Sequence, residues 1–365
     1  MNSPRCGRGI LLSQRMAFPG RMAVRNRYLL LKAKLLAHAI WTGKLSLRKV
    51  INVLVCSAAF TLRRTRSGAA PFILSLEVGN ECNANCLFCR DAKGRIYDTD
   101  PKALPLGGIS KGVMPFEMAA DLIRQCSKDS LIAVLYTNGE PLLYKDLPRL
   151  IQACSRVRLL SMIATNGLLL NEKNITEMLS AGIDFIKVQM SGFTQDVYAV
   201  QVRFGNVERL KDNIRLLARK RDEMKCPTVL MLDFIAYSYN SHQLPDVRAF
   251  CRELGVSLNI RPGNPRGGLE GREPELSAEA LPLPGGCDWP WKGLQVNFNG
   301  EVLMCCDGVT FSGSQPYAVF RPGDPVAVIW NGAKARQARA TLATQGRGAI
   351  PICAQCYRKD LAFKW

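Results

Sequence analysis

The chain has 365 residues, 47% of them apolar, which is enough for one large or two modest domains with a sizeable core. Its 14 cysteines fall mainly in two clusters, a distribution typical of a protein in a reducing compartment rather than of a disulfide scaffold. Only His38 and His242 are present, which excludes a histidine-rich metal centre and argues against a cysteine–histidine protease.

The chain begins with a basic segment (1–70) that has 14 lysines or arginines and no acidic residue, whereas the remainder has 35 basic and 30 acidic residues. Its apolar runs, Tyr28–Ile40 and Val50–Leu62, are shorter than the roughly 20 residues that a membrane span requires. We expect basic amphipathic helices that lie on an anionic membrane surface, belong to a transit peptide, or pack on the rest of the protein. The predicted location is the cytoplasm, peripheral at the inner membrane face in the first case. Nucleic acid is not an expected partner, because the basic residues are not interleaved with stacking aromatics.

From Pro71 onward, strand-like apolar runs alternate with helical patterns. The predicted strands are Ile73–Val78, Leu131–Tyr136, Leu159–Ala164, Phe185–Met190, Val229–Ala236 and Ser257–Ile260. The predicted helices are Pro115–Cys126, Leu147–Ala153, Glu172–Ala181, Val207–Asp222 and Leu244–Leu254. This alternation predicts an α/β fold with a parallel sheet and right-handed crossovers. Six such units are too few for a closed eight-stranded barrel, and functional residues are expected where the strands end.

Three cysteines follow the first predicted strand in the motif C-N-A-N-C-L-F-C, namely Cys82, Cys86 and Cys89. Three thiolates at this spacing can hold three irons of a [4Fe–4S] cube and leave the fourth iron open to another ligand. A zinc site or buried structural cysteines are the alternative. Zinc commonly takes four ligands in separated pairs, and the motif has no nearby histidine to complete such a set.

This motif, with Phe88 as its aromatic residue, resembles the signature of the radical S-adenosylmethionine (SAM) superfamily. The resemblance covers roughly residues 71–365 and implies an open, partial (β/α)6 barrel of the TIM type. It also implies that SAM chelates the open iron, and that an electron cleaves it to methionine and a 5′-deoxyadenosyl radical that abstracts hydrogen. A reductant such as flavodoxin or ferredoxin is the implied protein partner.

The resemblance also implies a set of SAM contacts at the ends of later strands. Asn138-Gly139-Glu140-Pro141 is similar to the family's G-G-E-P turn, which binds the SAM amino group, and Asn138 replaces its first glycine. Ser191 and Arg203 match a pair that grips the SAM carboxylate, and arginine suits bidentate carboxylate binding. The implied cofactor-binding residues are Phe88, Gly139, Glu140, Ser191 and Arg203.

A second cysteine set lies near the C-terminus, in the pattern C-x12-G-x4-C…C-x-x-C. It resembles the SPASM/twitch extension of one radical SAM subgroup and implies a second [4Fe–4S] cluster, with a zinc ribbon as the alternative. The implied ligands are Cys287, Cys305, Cys353 and Cys356. The predicted domains are a basic helical segment (1–70), a partial barrel (71–270) and an auxiliary cluster domain (271–365).

The catalytic candidates are Cys306 and Asp307. In sulfatase-maturing relatives, an aspartate that acts as the catalytic base directly follows the cysteine that matches Cys305. Here Cys306 takes that place. Cys306 is therefore a candidate hydrogen-atom donor for epimerisation, and Asp307 a candidate base for dehydrogenation; packing of Cys306 is the alternative. Arg261 and Arg266 are expected to face an anionic substrate such as a sugar phosphate.

Three functions stay open. The first is hydrogen abstraction from a carbohydrate-like or other bulky metabolite, ending in dehydrogenation or epimerisation. The second is maturation of a peptide or protein, and the third is a non-catalytic iron–sulfur electron carrier or sensor.

Overall fold

The structure is a computed structural model that describes residues 33–87, 89, 111–262, 287–306, 308, 315–354 and 356. Two helices begin the described chain: α1 over residues 33–41 and α2 over Leu47–Thr61. The side chain of Ser46 caps α2 by accepting a hydrogen bond from the backbone N–H of Lys49. None of the helices described is both long and apolar enough to cross a membrane.

Six parallel strands and the helices between them form the main body, as the alternation predicts. The strands are β1 (Ile73–Leu76), β2 (Ile132–Val134), β3 (Leu160–Thr165), β4 (Phe185–Met190), β5 (Val229–Ala236) and β6 (Ser257–Pro262). The helices that follow β1 to β5 are α3 (Phe116–Cys126), α4 (Leu147–Arg156), α5 (Glu172–Ser180), α6 (Gln195–Ala199), α7 (Val207–Glu223) and α8 (Leu244–Glu253). Each strand pairs in parallel with its neighbour in chain order. The sheet is an open, partial barrel, since β6 is one of its edges.

Alternating side chains along each strand serve two apolar cores. Outward-facing residues such as Ile186 and Val188 of β4 pack under the helices in the larger core. Inward-facing residues at the start of the strands, including Ile73, Ile132 and Phe185, form a smaller core inside the barrel. The half of the barrel at the amino ends of the strands is therefore filled with apolar side chains. The half at the carboxyl ends, called the upper half below, carries the polar residues.

The C-terminal region does not form a separate sheet. Its first strand, β7 (Gly293–Val296), pairs in parallel with β1 and extends the barrel. Strands β8 (Glu301–Leu303) and β9 (Ala318–Val319) then add antiparallel, giving the order β6-β5-β4-β3-β2-β1-β7-β8-β9. The short helices of this region are α9 (Trp289–Lys292), α10 (Val326–Trp330), α11 (Ala333–Thr344) and α12 (Pro351–Ala354). The six predicted strands are thus present, and a seventh parallel strand comes from the segment assigned to the auxiliary domain.

Candidate active site

The three-cysteine loop begins where β1 ends, at the carboxyl edge of the sheet. Cys86 is buried, Cys82 and Cys89 are half-buried, and the Cys89 N–H donates to the Cys86 carbonyl at 3.0 Å. Tyr198 of α6 lies beside this loop. Burial raises the pKa of its hydroxyl, and the nearby Cys86 and Cys82 thiols raise it further. The structure therefore sets the cysteines in a partly enclosed position, although Phe88 lies outside the described residues.

The segment after α6 pairs with the cysteine loop and brings Arg203 to it. Cys86 and Val202 form an antiparallel bridge, and the Leu87 N–H donates to the Gln201 carbonyl at 2.9 Å. Arg203 directly follows this bridge and is half-buried. The bridge thus brings the backbone of Arg203 close to the loop, and its carboxylate-binding role stays a prediction.

Two glycines make this approach of α6 possible. A Cβ on Gly192 would lie 2.4 Å from the backbone nitrogen of Tyr198, and one on Gly205 would lie 2.5 Å from the Tyr198 ring. Both positions therefore have room only for hydrogen, and Tyr198 is wedged between the end of β4 and the loop. Gly192 directly follows Ser191 and has this packing role.

The Asn138–Pro141 turn follows β2 and contacts the cysteine loop directly. The Glu140 N–H donates to the Glu81 carbonyl at 2.8 Å, and a Cβ on Gly139 would lie 2.1 Å from the Gly79 carbonyl oxygen. Glycine is required at 139 by the neighbouring backbone, whatever ligand the turn binds.

The carboxylate of Glu140 is buried and accepts hydrogen bonds from the protein. Its donors are the hydroxyl of Thr165 at 2.7 Å and the backbone N–H groups of Asn166 at 2.8 Å and Leu142 at 3.1 Å. Burial raises the pKa of Glu140 to about 7. Glu140 thus joins the turn after β2 to the turn after β3, while its predicted contact with an ammonium group stays a prediction.

Asn166, in the turn after β3, reaches the cysteine loop. Its side-chain amide donates to the Asn83 side chain at 2.8 Å and lies 3.7 Å from the Cys82 sulfur. A donor next to a thiolate stabilises the negative charge on sulfur, which is one way in which proteins tune an iron–sulfur cluster.

Ser191 lies at the end of β4 and is 1% exposed. Its hydroxyl oxygen has no hydrogen-bond partner among the described residues. Its carbonyl accepts from the side chain of Asn240 at 2.7 Å, and Asn240 also ties down the backbone of Ile235 and Tyr237. Asn240 is fully buried and joins the ends of β4 and β5. A buried hydroxyl that lacks a protein partner is what a SAM-binding role for Ser191 needs.

Sequence reasoning missed a charged cluster inside the barrel. Lys187 of β4, Asp233 of β5 and Arg261 of β6 point inward, because their strand neighbours pack outward in the larger core. The Asp233 carboxylate lies 2.6 Å from the Arg261 Nε, 3.6 Å from the Lys187 Nζ and 2.6 Å from the amide of Asn259. Burial raises the pKa of Asp233, but the two cations outweigh it and lower the pKa to about 2.

The signal for this cluster was present in the sequence as charged residues within apolar strands. Arg261 lies within β6, one residue beyond the predicted end of that strand, and forms an ion pair with Asp233. Its expected contact with an anionic substrate stays a prediction. Arg266 lies outside the described residues. Lys187 and Arg261 are thus two cations beside one carboxylate in the upper half of the barrel.

The second cysteine set converges around Tyr317. Burial and then the Cys305, Cys353 and Cys287 thiols raise the pKa of the Tyr317 hydroxyl. Cys356 in turn influences Cys287, whose pKa burial raises to about 12. The structure therefore brings together all four cysteines that the sequence pattern grouped, although they are far apart along the chain.

A tight turn after β7 delivers Cys305 to this place. Gly300 has φ of +86°, and a Cβ there would lie 2.4 Å from the Phe320 carbonyl oxygen. The next residue, Cys306, is half-buried, and Asp307 lies outside the described residues.

Both cysteine sets consist of thiolate donors, which iron–sulfur clusters require. Among the described residues, no three histidine, cysteine or carboxylate side chains are close enough to hold a single metal ion. A [4Fe–4S] cube binds each thiolate to a different iron, so its cysteines need not converge on one point.

Two family matches identify the class of protein that this fold and site define. Residues 76–234 match the radical SAM superfamily, and residues 287–357 match SPASM, an iron–sulfur cluster-binding domain. The chain belongs to the radical SAM superfamily and carries a C-terminal SPASM domain. Its cofactors are SAM, a SAM-binding [4Fe–4S] cluster and an auxiliary iron–sulfur cluster.

Curated relatives match about half of this chain. A protein named "Probable GTP 3′,8-cyclase" from Methanocaldococcus jannaschii is 29% identical over 187 residues, which cover 51% of this chain and 57% of that protein. Another of the same name from Methanococcus maripaludis (strain C5) is 27% identical over 186 residues, 51% of this chain and 56% of that protein. The match thus spans little more than half the length of these relatives.

Solved structures share the fold. BtrN in complex with AdoMet and 2-DOIA is similar with a TM-score of 0.50 and 18% identity, over 78% of this chain and 92% of BtrN. Streptococcus suis SuiB bound to S-adenosylmethionine is similar with a TM-score of 0.57 and 14% identity, over 75% of this chain and 68% of SuiB. At these identities the likeness shows the fold alone.

Proposed function

We propose that this radical SAM enzyme abstracts hydrogen from a polar, anionic, carbohydrate-like metabolite bound in the upper barrel. The observation that carries this proposal is the presence of two cations, Lys187 and Arg261, inside the barrel. Lysine and arginine side chains there can bind the anionic groups of such a ligand. The name of the curated relatives, GTP 3′,8-cyclase, contains a substrate of this class, a phosphorylated ribose compound.

The proposed cofactor contacts are those that the strand ends bring together. Cys82, Cys86 and Cys89 would hold the SAM-binding cluster, while Ser191 and Arg203 would bind the carboxylate of SAM. The cluster and SAM, when bound, would supply an electron and, from it, a carbon radical that takes a hydrogen atom from the substrate. The Glu140 carboxylate fixes the turns on which the Gly139 and Asn166 backbones lie, and Phe88 would lie near the adenine.

The auxiliary cluster would be held by Cys287, Cys305, Cys353 and Cys356. Cys306 and Asp307, which follow Cys305, decide between the proposed outcomes. Transfer of a hydrogen atom from the Cys306 thiol to the substrate radical would give epimerisation, whereas loss of a proton to Asp307 and of an electron to the auxiliary cluster would give dehydrogenation.

The test measures deuterium transfer into 5′-deoxyadenosine from deuterated sugar phosphates and nucleoside triphosphates, with SAM and a low-potential reductant. We expect deuterium transfer from a substrate of this class. Lys187→Met should lose transfer yet keep substrate-independent SAM cleavage, while Lys145→Met, at an exposed lysine, should match the parent. Transfer only from peptides would contradict the substrate class, and no 5′-deoxyadenosine would contradict catalysis itself.

A further inference from the structure

Helices α1 and α2 close the end of the barrel that lies opposite the cysteine loop. Their side chains contact segments that immediately precede β2, β3 and β4, and the first residue of β6. The contacts are Asn52 to the Asp129 carbonyl (3.0 Å), Lys49 to the Arg158 carbonyl (2.6 Å), His38 and Lys44 to Asp184 (3.0 and 2.7 Å), and Lys34 to Ser257 (3.0 Å). Since these segments start the strands, the two helices cover the amino-terminal end of the barrel.

The apolarity of α2 is inverted relative to that of an ordinary surface helix. The residues that it buries against the barrel include Lys49 and Asn52, together with Cys56 and Ala59. On the opposite side are Leu47, Ile51, Leu54 and Leu62, which are 76%, 51%, 63% and 62% exposed. The spacings of four, three and eight positions put them on one helical face. A helix of a soluble domain normally turns its apolar face to the core.

Helix α1 and the residue that ends it add to this exposed surface. His38 and Ala39 are buried on the barrel side, while Leu36, Ile40 and Trp41 are 46%, 61% and 82% exposed. The exposed apolar side chains of both helices, from Leu36 to Leu62, are referred to below as the outer face. Burial of such side chains is favourable, so the outer face is expected to be covered by a partner.

The charge around the outer face indicates which partner covers it. Arg63, Arg64 and Arg66 are exposed directly after α2, and no acidic residue occurs before Glu77. A second copy of the chain would oppose two cationic, acid-free segments, which repel each other. Anionic lipid headgroups have the complementary charge, and the acyl boundary below them accepts leucine, isoleucine and tryptophan.

We infer that the outer face docks the chain on an anionic phospholipid surface, with α1 and α2 lying in the plane of the interface. The amino-terminal end of the barrel then faces the membrane. The opposite end, where the strands end and the cysteine loop lies, faces away from the bilayer. This inference is independent of the proposed substrate.

Vesicle co-sedimentation of the full chain tests the docking. The chain should sediment with vesicles of phosphatidylcholine and phosphatidylglycerol and stay in solution with phosphatidylcholine alone. The variant Trp41→Ala/Ile51→Ser/Leu54→Ser should weaken partitioning at least about tenfold, since three large apolar side chains are lost. The matched control Val319→Ser, at a 50% exposed valine of β9, should bind like the parent.

A second measurement does not depend on a disruptive variant. Brominated lipids should quench the tryptophan emission of the bound parent, and Trp41→Phe should remove most of that quenching. The inference is overturned if the parent ignores anionic vesicles, or if the triple variant binds as well as the parent. Unchanged quenching in Trp41→Phe would overturn it too. So would a parent chain that is dimeric in solution and a triple variant that is monomeric.

Discussion

At the residue scale, Glu140 shows how a motif residue can act by holding its neighbours. Its carboxylate accepts from the hydroxyl of Thr165 and the backbone of Asn166, and thereby aligns two strand-end turns under the cysteine loop. The sequence motif identified the residue because the spacing of the turn is local. It did not identify the partners, because Thr165 and Asn166 come from the next strand.

The raised pKa of Glu140 gives a pH-dependent stability. The folded-state pKa of about 7 lies above the ordinary value of 4.5, so this residue's contribution is fully present below about pH 4.5 and is lost as pH rises through 7. We expect chemical denaturation to show a fall in the free energy of unfolding across that window, on the order of 3 kcal/mol from this group. Glu140→Gln, which does not titrate, should flatten the profile. An identical pH profile in the variant would assign the effect to other groups.

Gly139 permits a second test at this scale. A Cβ at 139 would meet the Gly79 carbonyl oxygen at 2.1 Å, and backbone cannot move aside as a flexible side chain can. Gly139→Ala should therefore lower the free energy of unfolding by about 1–3 kcal/mol. Gly348→Ala is the matched control, because nothing lies within 4 Å of its Cβ position. Equal stability of the two variants in thermal melts would show that the close approach is not enforced.

At the element scale, the predicted strands and helices of the barrel agree with the structure because their signals are local. Charged residues within apolar strands, such as Lys187 and Asp233, could have revealed the polar upper barrel. Strand β7 was missed, since so short a strand gives little periodicity and its partner β1 lies far earlier in the chain. The apolar runs before Pro71 predicted helices, but only the contacts of Lys49 and Asn52 show which side of α2 is buried.

One buried carboxylate joins α1 and the loop after it to the barrel. Asp184 pairs with Lys44 and His38 and accepts from the backbone and hydroxyl of Ser161. Asp184→Asn would leave the buried Lys44 ammonium without its counter-charge, and we expect a loss of about 3–5 kcal/mol in urea unfolding. Asp246→Asn, at an exposed position of α8, should cost almost nothing. Comparable losses in both variants would rule out a special role for the buried pair.

At the scale of the whole molecule, the barrel and the SPASM region share one sheet and one connecting segment. Trp291 and Trp330 donate through their indole nitrogens to the carbonyls of Arg64 and Ala69, and buried Arg339 donates to the Thr65 carbonyl. Residues 64–69 are thus hydrogen-bonded to the C-terminal region. The predicted domain boundaries near residues 70 and 270 stay predictions.

We therefore expect a single cooperative transition when the full chain is unfolded in a scanning calorimeter. Strand β7 cannot leave without exposing the edge of β1, and residues 64–69 bridge both regions. The calorimetric and van't Hoff enthalpies should agree. Two resolved transitions would show that the C-terminal region unfolds independently.

The central claim is that the chain holds two clusters, one of them open to SAM. The most direct measurement is the iron content and electron paramagnetic resonance spectrum of the anaerobically reconstituted chain, with and without SAM. If both clusters are present, we expect about eight irons in the parent and a spectrum that SAM changes. Cys82→Ala/Cys86→Ala/Cys89→Ala should keep about four irons and lose the SAM response, whereas Cys353→Ala/Cys356→Ala should keep about four and retain it. A SAM response that survives loss of the three-cysteine loop, or a parent with about four irons plus zinc, would contradict the account.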